Sequence, residues 1–341
     1  MKKILITGCN GYIGIELVKR LLKEKKFLIY GVDNNYFTKS LEKKIKKKKE
    51  FKFIKKDIRK LNLKKLINFD TIIHLAAISN DPIGNKFYQA TKSINETATK
   101  KLIISAKKNG IKQFIFLSSC SVYGFSKNNC KENSLTKPLT AYSKSKIFAE
   151  KILKKESDNN FKSISLRLAT ACGYSDNPRF DLVLNDFIYS GLTNKKIIMN
   201  STGNALRPLI DVKDIVSSIY WIVENKNKVK SSYSVFNVGN NKNNFKIIDL
   251  AKIISKKLGG IEIITNEQNN DKRSYKANFS KFNRLTKNKI VNTNLNKTIF
   301  KLINMTKTII KKNKPKKNYI RLNVLEKKIE QKQITKNLTY N

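Results

Sequence analysis

An apolar run, Ile4-Leu5-Ile6, leads directly into Thr7-Gly8-Cys9-Asn10-Gly11-Tyr12-Ile13-Gly14, and this pairing leaves the chain few ways to begin folding. The run reads as a buried strand, and Ile13, Leu17, Leu21 and Leu22 recur on one face of the helix that follows. The glycines fall on the turn between strand and helix. There they permit a sharp bend, let backbone N–H groups approach a pyrophosphate, and let the helix pack tightly with its N-terminal dipole facing the anion. The spacing is Gly-x-x-Gly-x-x-Gly, not Gly-x-Gly-x-x-Gly. A glycine triplet alone is equally well an ordinary turn, so the reading needs support from the rest of the chain.

Support comes first from the strands. Phe27 to Val32 reads as a second strand ending at Asp33-Asn34, about 20 residues past the glycines, where an acid binds the ribose hydroxyls of an adenosine. An acid at that place repels a 2′-phosphate, which favours NAD over NADP. Phe51 to Lys55 leads to Asp57-Ile58, and Thr71 to Leu75 runs into Ala76-Ala77, small residues that leave room for a cofactor at the strand's carboxyl end. Helical stretches at Asn85 to Asn109 and Ala141 to Lys155, with a strand at Gln113 to Leu117 between them, complete an alternation that predicts an α/β, doubly wound parallel sheet. His74, the single histidine, lies inside an apolar strand and reads as a packed core residue. Past Leu166 the rhythm changes. A loop at Tyr174 to Pro178, a helix from Leu182, a strand at Val235 to Val238 and a helix at Lys246 to Leu258 predict a smaller mixed lobe, followed by a basic linker around Pro315 and a closing helix at Leu322 to Gln333.

The formal charge is +46, which raises the question of nucleic acid or an anionic membrane. The lysines are spread along the whole chain among many Asn and Ile, and the densest run, Lys43 to Lys49, carries no aromatic, so compositional bias on solvated faces explains them and no nucleic-acid partner is expected. Cys9, Cys120, Cys130 and Cys172 form no Cys-x-x-Cys pair, which with one histidine predicts no metal site and suits a reducing cytoplasm. No apolar stretch is long enough to span a bilayer.

The chemistry concentrates in Tyr142-Ser143-Lys144-Ser145-Lys146, with Ser118-Ser119 upstream at the end of a strand. Four residues apart on a helix, Tyr142 and Lys146 share one face. A phenol of ordinary pKa near 10 is a poor base at neutral pH, and a nearby ammonium would stabilise its anion. Ser119 can hold a substrate hydroxyl against Tyr142.

These motifs, together with His74-Leu75-Ala76-Ala77 and Ser118-Ser119-Cys120-Ser121-Val122-Tyr123-Gly124, resemble the extended short-chain dehydrogenase/reductases, and within them the NAD-dependent nucleotide-sugar epimerases and dehydratases, closest to UDP-glucose 4-epimerase-like members. The resemblance implies a Rossmann domain at 1–170 plus about 212–240, a nucleotide-sugar-binding lobe at about 171–211 and 241–310, and a basic linker with a C-terminal helix and tail at 311–341. It implies NAD on Gly8, Gly11, Tyr12, Ile13, Gly14, Asp33, Asn34, Asp57, Ile58, Leu75, Ala76, Ala77, Tyr142 and Lys146. It also implies a catalytic Ser119, Tyr142 and Lys146, with a nucleoside-diphosphate sugar held by Ser119, Tyr142, Asn185, Arg207 and Arg273, and a homodimer paired through the two long helices. Dehydratases of the family carry Asp-Glu directly after the catalytic serine or threonine, where this chain has Cys120 and Ser121, so the acid and base of dehydration are missing. The expected reaction is therefore epimerisation, at C4 through a 4-keto intermediate with Tyr142 as base. A nucleotide-sugar reductase or dehydrogenase is the alternative, then a 4,6-dehydratase, and outside enzymes an anionic-polymer binder with a vestigial NAD site.

Overall fold

Ile4, Leu5 and Ile6 are at most 1% exposed and form the middle of an interior strand of a parallel sheet. The computed structural model describes residues 1–38, 45, 48–62, 64, 68–268, 271, 273–313 and 315–341. Most of the Lys43 to Lys49 run, together with Lys272 and Lys314, lies outside them. The sheet strands are β1 (Lys2–Thr7), β2 (Phe27–Asp33), β3 (Phe51–Lys55), β4 (Thr71–His74), β5 (Gln113–Ser119), β6 (Lys162–Leu168) and β7 (Tyr233–Val238). Their order is β7-β6-β5-β4-β1-β2-β3, with every neighbouring pair parallel. The order reverses between β1 and β4, and a crevice opens at their carboxyl ends, the place where such sheets take ligands.

Helix α1 (Tyr12–Lys23) buries Leu17, Val18, Leu21 and Leu22 in the main core. On the opposite face α2 (Thr99–Lys108) and α3 (Ala141–Glu156) bury Leu102, Ile103 and Leu153 against Leu5, Ile72 and Phe114. Helices α4 (Val183–Asn194), α5 (Val212–Glu224), α6 (Ile247–Lys257) and α7 (Leu295–Lys311) follow. Of these, α4, α6 and α7 enclose a second core around Leu184, Ile188, Leu250, Ile254, Ile299 and Leu302. Among the described residues no helix is long and apolar enough to cross a membrane.

The helix expected over 85–109 is broken. Helical turns at Asp81–Lys86 and Tyr88–Thr91 are separated by Phe87, whose φ of −110° and ψ of 55° leave the helical region, and Lys92–Ala98 is a π-helical run before α2. Two side chains account for this. Phe87 turns into a cluster with Tyr36, Ile78 and Ile83, and the wider π turn directs Asn95 onto both the N–H (2.8 Å) and the carbonyl (3.0 Å) of Ile78 and onto Ser145 (3.2 Å). The loop after β4 is thereby tied to the helix carrying Tyr142 and Lys146.

The closing helix is α8 (Arg321–Glu330), and it packs on the N-terminal half of the chain. Leu325, Ile334 and Leu338 join Tyr36, Ile83 and Phe87 in one cluster, the Tyr36 hydroxyl donates to the Leu338 carbonyl, and Arg59 donates to the Asn337 carbonyl at 2.7 Å.

His74 is 1% exposed, with Nδ1 2.6 Å from Thr7 Oγ1 and Nε2 2.9 Å from Thr99 Oγ1, the packed core role expected of it. Burial, reinforced by Lys146, brings its pKa down to about 3. The imidazole is thus neutral in the folded state but takes up a proton on unfolding below about pH 6.5, so it destabilises the fold progressively as pH falls from there toward 3. Denaturant titrations at pH 7 and pH 5 should give wild type a steeper loss than His74→Asn, by up to about 1.4 kcal/mol per pH unit. Parallel slopes would refute this account.

Candidate active and cofactor site

The site is built outward from the glycine turn. Gly8 has φ +73°, and a Cβ there would lie 2.7 Å from the Ala76 nitrogen; a Cβ on Gly14 would lie 2.2 Å from the Gly8 carbonyl oxygen. Glycine is therefore required at both ends of the turn, once for the backbone conformation and once for helix–strand approach. The residues expected to touch the cofactor, from Gly8 through Asp33, Asn34, Asp57, Ile58 and Leu75-Ala76-Ala77 to Tyr142 and Lys146, line one cavity at the carboxyl ends of β1, β2 and β4.

At the end of β2, Asp33 accepts from the amides of Asn10 (3.0 Å) and Asn35 (2.8 Å), which fixes its carboxylate beside the turn. Burial raises its pKa, and those two amides draw it back. Asp57 caps the short turn Ile58–Lys60 and is held by Arg59, whose Nε is 3.0 Å away. The donor set fits a dinucleotide: free amides at a helix N-terminus for phosphates, a fixed carboxylate for a ribose, and apolar walls for a base.

At the other end of the cavity, Thr140 caps α3 through a capping box with Ser143, so Tyr142 and Lys146 project from the first turns of the helix. The Ser119 side chain lies near enough to the Tyr142 phenol to favour its anion. Burial pushes the phenol up to about 12, aided by the Asp81 carboxylate, while Ser119 and Arg179 pull it down. Lys146 is 5% exposed; its ammonium donates to the Leu117 carbonyl at 2.7 Å and lies 5.3 Å from the centre of the Tyr142 ring. Burial lowers its pKa to about 7, against Glu150, which raises it. Arg179 is a further cation that favours the Tyr142 phenolate.

Beneath these residues lies a buried ion pair. Arg167 Nη2 is 2.7 Å from Glu150 Oε2, and Glu150 also accepts from Ser118 at 2.5 Å. Cys120 is fully buried, its thiol donates to the Arg167 carbonyl at 3.2 Å, and burial drives its pKa upward.

The lobe reaches the cavity through the loop at 173–179. The Tyr12 hydroxyl donates to the Gly173 carbonyl (2.6 Å), Ser175 Oγ to the Tyr12 carbonyl (2.8 Å), and Asn177 Nδ2 to the Asn10 carbonyl (2.6 Å). The loop also carries Arg179, paired with Asp181 at 2.7 Å and donating to Ser79 at 3.1 Å. Asn185 is fully buried, accepts from the Gly173 amide and donates to the Arg179 carbonyl at 3.0 Å, so its amide braces this loop from beneath. Arg207 and Arg273 are brought together: both pair with Asp271, at 2.7 Å and 2.9 Å, and Arg273 also pairs with Asp81. Asp81 in turn accepts from the Thr140 hydroxyl at 2.6 Å, which links the arginine pair to the start of the Tyr142 helix.

Sequence reasoning missed Asp81, Arg179 and Arg321, all of which reach this site. The available signal was composition: in a chain whose cations are mostly lysine, an arginine marks a geometric role.

Comparison with known proteins gives a consistent picture. The uncharacterized UDP-glucose epimerase YtcB of Bacillus subtilis (strain 168) is 30% identical over 227 residues, covering 64% of this chain and 71% of that protein. The UDP-glucuronic acid 4-epimerase from Bacillus cereus, solved with UDP-glucuronic acid and NAD, superposes with a TM-score of 0.79 at 25% identity over 90% of this chain and 99% of that one. A UDP-N-acetylglucosamine 4-epimerase from Methanobrevibacter ruminantium M1 gives 0.78 at 26% identity over 91% and 99%. The family model for the NAD dependent epimerase/dehydratase family matches residues 4–239, and the chain belongs to that family.

Proposed function

We propose that this chain is a nucleotide-sugar 4-epimerase that uses NAD. The observation that carries the reading is the placing of Ser119 beside Tyr142 at the edge of the cofactor cavity, next to a position 120 that holds a buried thiol in place of a carboxylic acid. Dehydration needs an acid and a base beside that serine; oxidation and reduction at one carbon need only the base that is there. The named 4-epimerases among the structural relatives support the same reading.

In this scheme the glycine turn, Asp33, Asp57 and Lys146 hold the cofactor, which supplies a hydride acceptor that later returns the hydride. Tyr142 Oη takes the proton of the sugar 4-hydroxyl, with the Ser119 hydroxyl fixing that oxygen, and gives it back once the 4-keto sugar has turned over. Arg207 and Arg273, exchanging Asp271 and Asp81 for a ligand, bind the diphosphate, a bidentate contact to which guanidinium is suited. Asn185 contributes by fixing the loop that carries Arg179. Ser121 Oγ, buried and without a hydrogen-bond partner among the described residues, is a further polar atom for the sugar.

The test is a panel of nucleoside-diphosphate sugars incubated with the purified protein and followed by NMR. Interconversion of C4 epimers without net change in NADH is expected; consumption of NADH on a keto-sugar with no epimer exchange would assign a reductase instead. We further propose a homodimer, supported by Ile104, which is 42% exposed on α2, and a cytoplasmic location, supported by buried Cys120, Cys130 and Cys172, which form no disulfide among the described residues.

A further inference from the structure

Helix α8 delivers Arg321 to the cofactor cavity, where the residue is only 4% exposed. Its guanidinium carbon sits 4.2 Å over the centre of the Phe37 ring, and Nη2 is buried with no hydrogen-bond partner among the described residues. A desolvated guanidinium nitrogen without an acceptor is costly, so a fold that keeps one has a reason outside its own contacts. Two carboxylates, Asp33 and Asp181, are near enough to act on Arg321 electrostatically, but neither closes an ion pair with it. Asp181 is engaged by Arg179 (2.7 Å) and Asn80 (2.8 Å), and Asp33 is fixed by the amides of Asn10 and Asn35. Arg179, which lines the same cavity, repels it. The acceptor that this arrangement lacks is an anion in the cavity that Asp33, Arg179 and Arg321 line together.

We infer that Arg321 is a ligand for the diphosphate of the bound dinucleotide, and that the segment from Lys316 to Asn341 is a cap closing the cofactor cavity from outside the sheet domain. The residue lies beyond position 239, where the family match ends. A 2′-phosphate is the competing anion, but it would sit against the Asp33 carboxylate. The inference rests on a dinucleotide occupying the cavity, and is independent of which sugar is turned over.

The experiment uses the full chain stripped of nucleotide, as wild type, Arg321→Met and Arg321→Lys. Calorimetric affinities are measured for NAD+, ADP and NADP+, and the apoprotein melting temperature for each variant. Arg321→Met should weaken NAD+ and ADP about tenfold to a hundredfold, the range for a hydrogen bond to a charged group, with Arg321→Lys between. Because the substitution removes an unpaired buried charge, its apoprotein should melt no lower than wild type. Unchanged NAD+ affinity, a loss confined to NADP+, or a loss accompanied by a lower apoprotein melting temperature would each overturn the assignment. A wild type that binds no NAD+ would instead sink the reading of the cavity itself.

Discussion

Replacing Tyr142 by Phe should lower kcat for epimer exchange by about a thousandfold while leaving NAD binding within a few-fold of wild type, since the change removes one proton-carrying oxygen and little else. The phenol that disappears is the group whose anion Ser119 favours. Ser119→Ala should cost less, because the hydroxyl orients the substrate without carrying its proton. The same base predicts the form of the pH profile. Burial and Asp81 hold Tyr142 up to about 12 in the free enzyme, so the reactive anion is scarce at neutral pH and kcat/KM should climb as pH rises across the neutral range. Substrate-exchange NMR on both variants, with retained cofactor measured by mass spectrometry, checks these points together. Near wild-type turnover in Tyr142→Phe, or a flat pH profile, would remove Tyr142 from the proposed role.

The second large effect falls on stability. Glu150→Ala should cost about 3–5 kcal/mol, because it leaves Arg167 charged, buried and unpaired. Glu150 and Arg167 are 5% and 6% exposed, so little water can replace the lost carboxylate. The double substitution Glu150→Leu with Arg167→Met should recover much of the loss, since a well-packed apolar pair avoids the desolvation of both ions. The single change also reaches the site: Glu150 raises the Lys146 pKa, and without it Lys146 should be neutral over more of the physiological range. Urea unfolding of the two variants measures the first effect. A loss under 1 kcal/mol for Glu150→Ala, as for an exposed pair, would contradict the burial described above.

The difference between what was legible in the sequence and what was not is one of chain separation. The glycine turn, Asp33 and the Ala76-Ala77 strand end each follow from a strand and the turn beyond it, and all of them line the cavity. The Tyr142 and Lys146 pair follows from one helical turn. Strand β6 is different. Ser163, Ser165 and Arg167 alternate with Ile164, Leu166 and Leu168 as in a half-solvated strand, yet all six are buried, because α3 covers the polar face and satisfies it through Glu150 and Ser157. Periodicity reports side-chain polarity; it cannot report that a polar face has found a partner elsewhere. The helix expected over 85–109 was broken for the same reason, by the engagements of Phe87 and Asn95 with groups outside it. Arg179 and Arg321 could be flagged as arginines among lysines, but the cavity they enter was not deducible from their neighbours. The two arginines assigned by resemblance, Arg207 and Arg273, do share one carboxylate, Asp271, which the local sequence Asp271-Lys272-Arg273 half discloses.

The docking of the C-terminal segment has a temporal side. Tyr36 finds its carbonyl partner 302 residues later, at Leu338, and Arg59 finds one at Asn337. During synthesis the parallel sheet can assemble through β7 once Val238 has left the ribosome, yet the outer wall of the cofactor cavity must wait for roughly a hundred further residues. A nascent chain therefore spends several seconds with its glycine turn formed and its cavity open, at the usual elongation rate of about 5–20 residues per second. On the proposal that this segment caps the cavity, full cofactor retention is expected only after the tail has folded back.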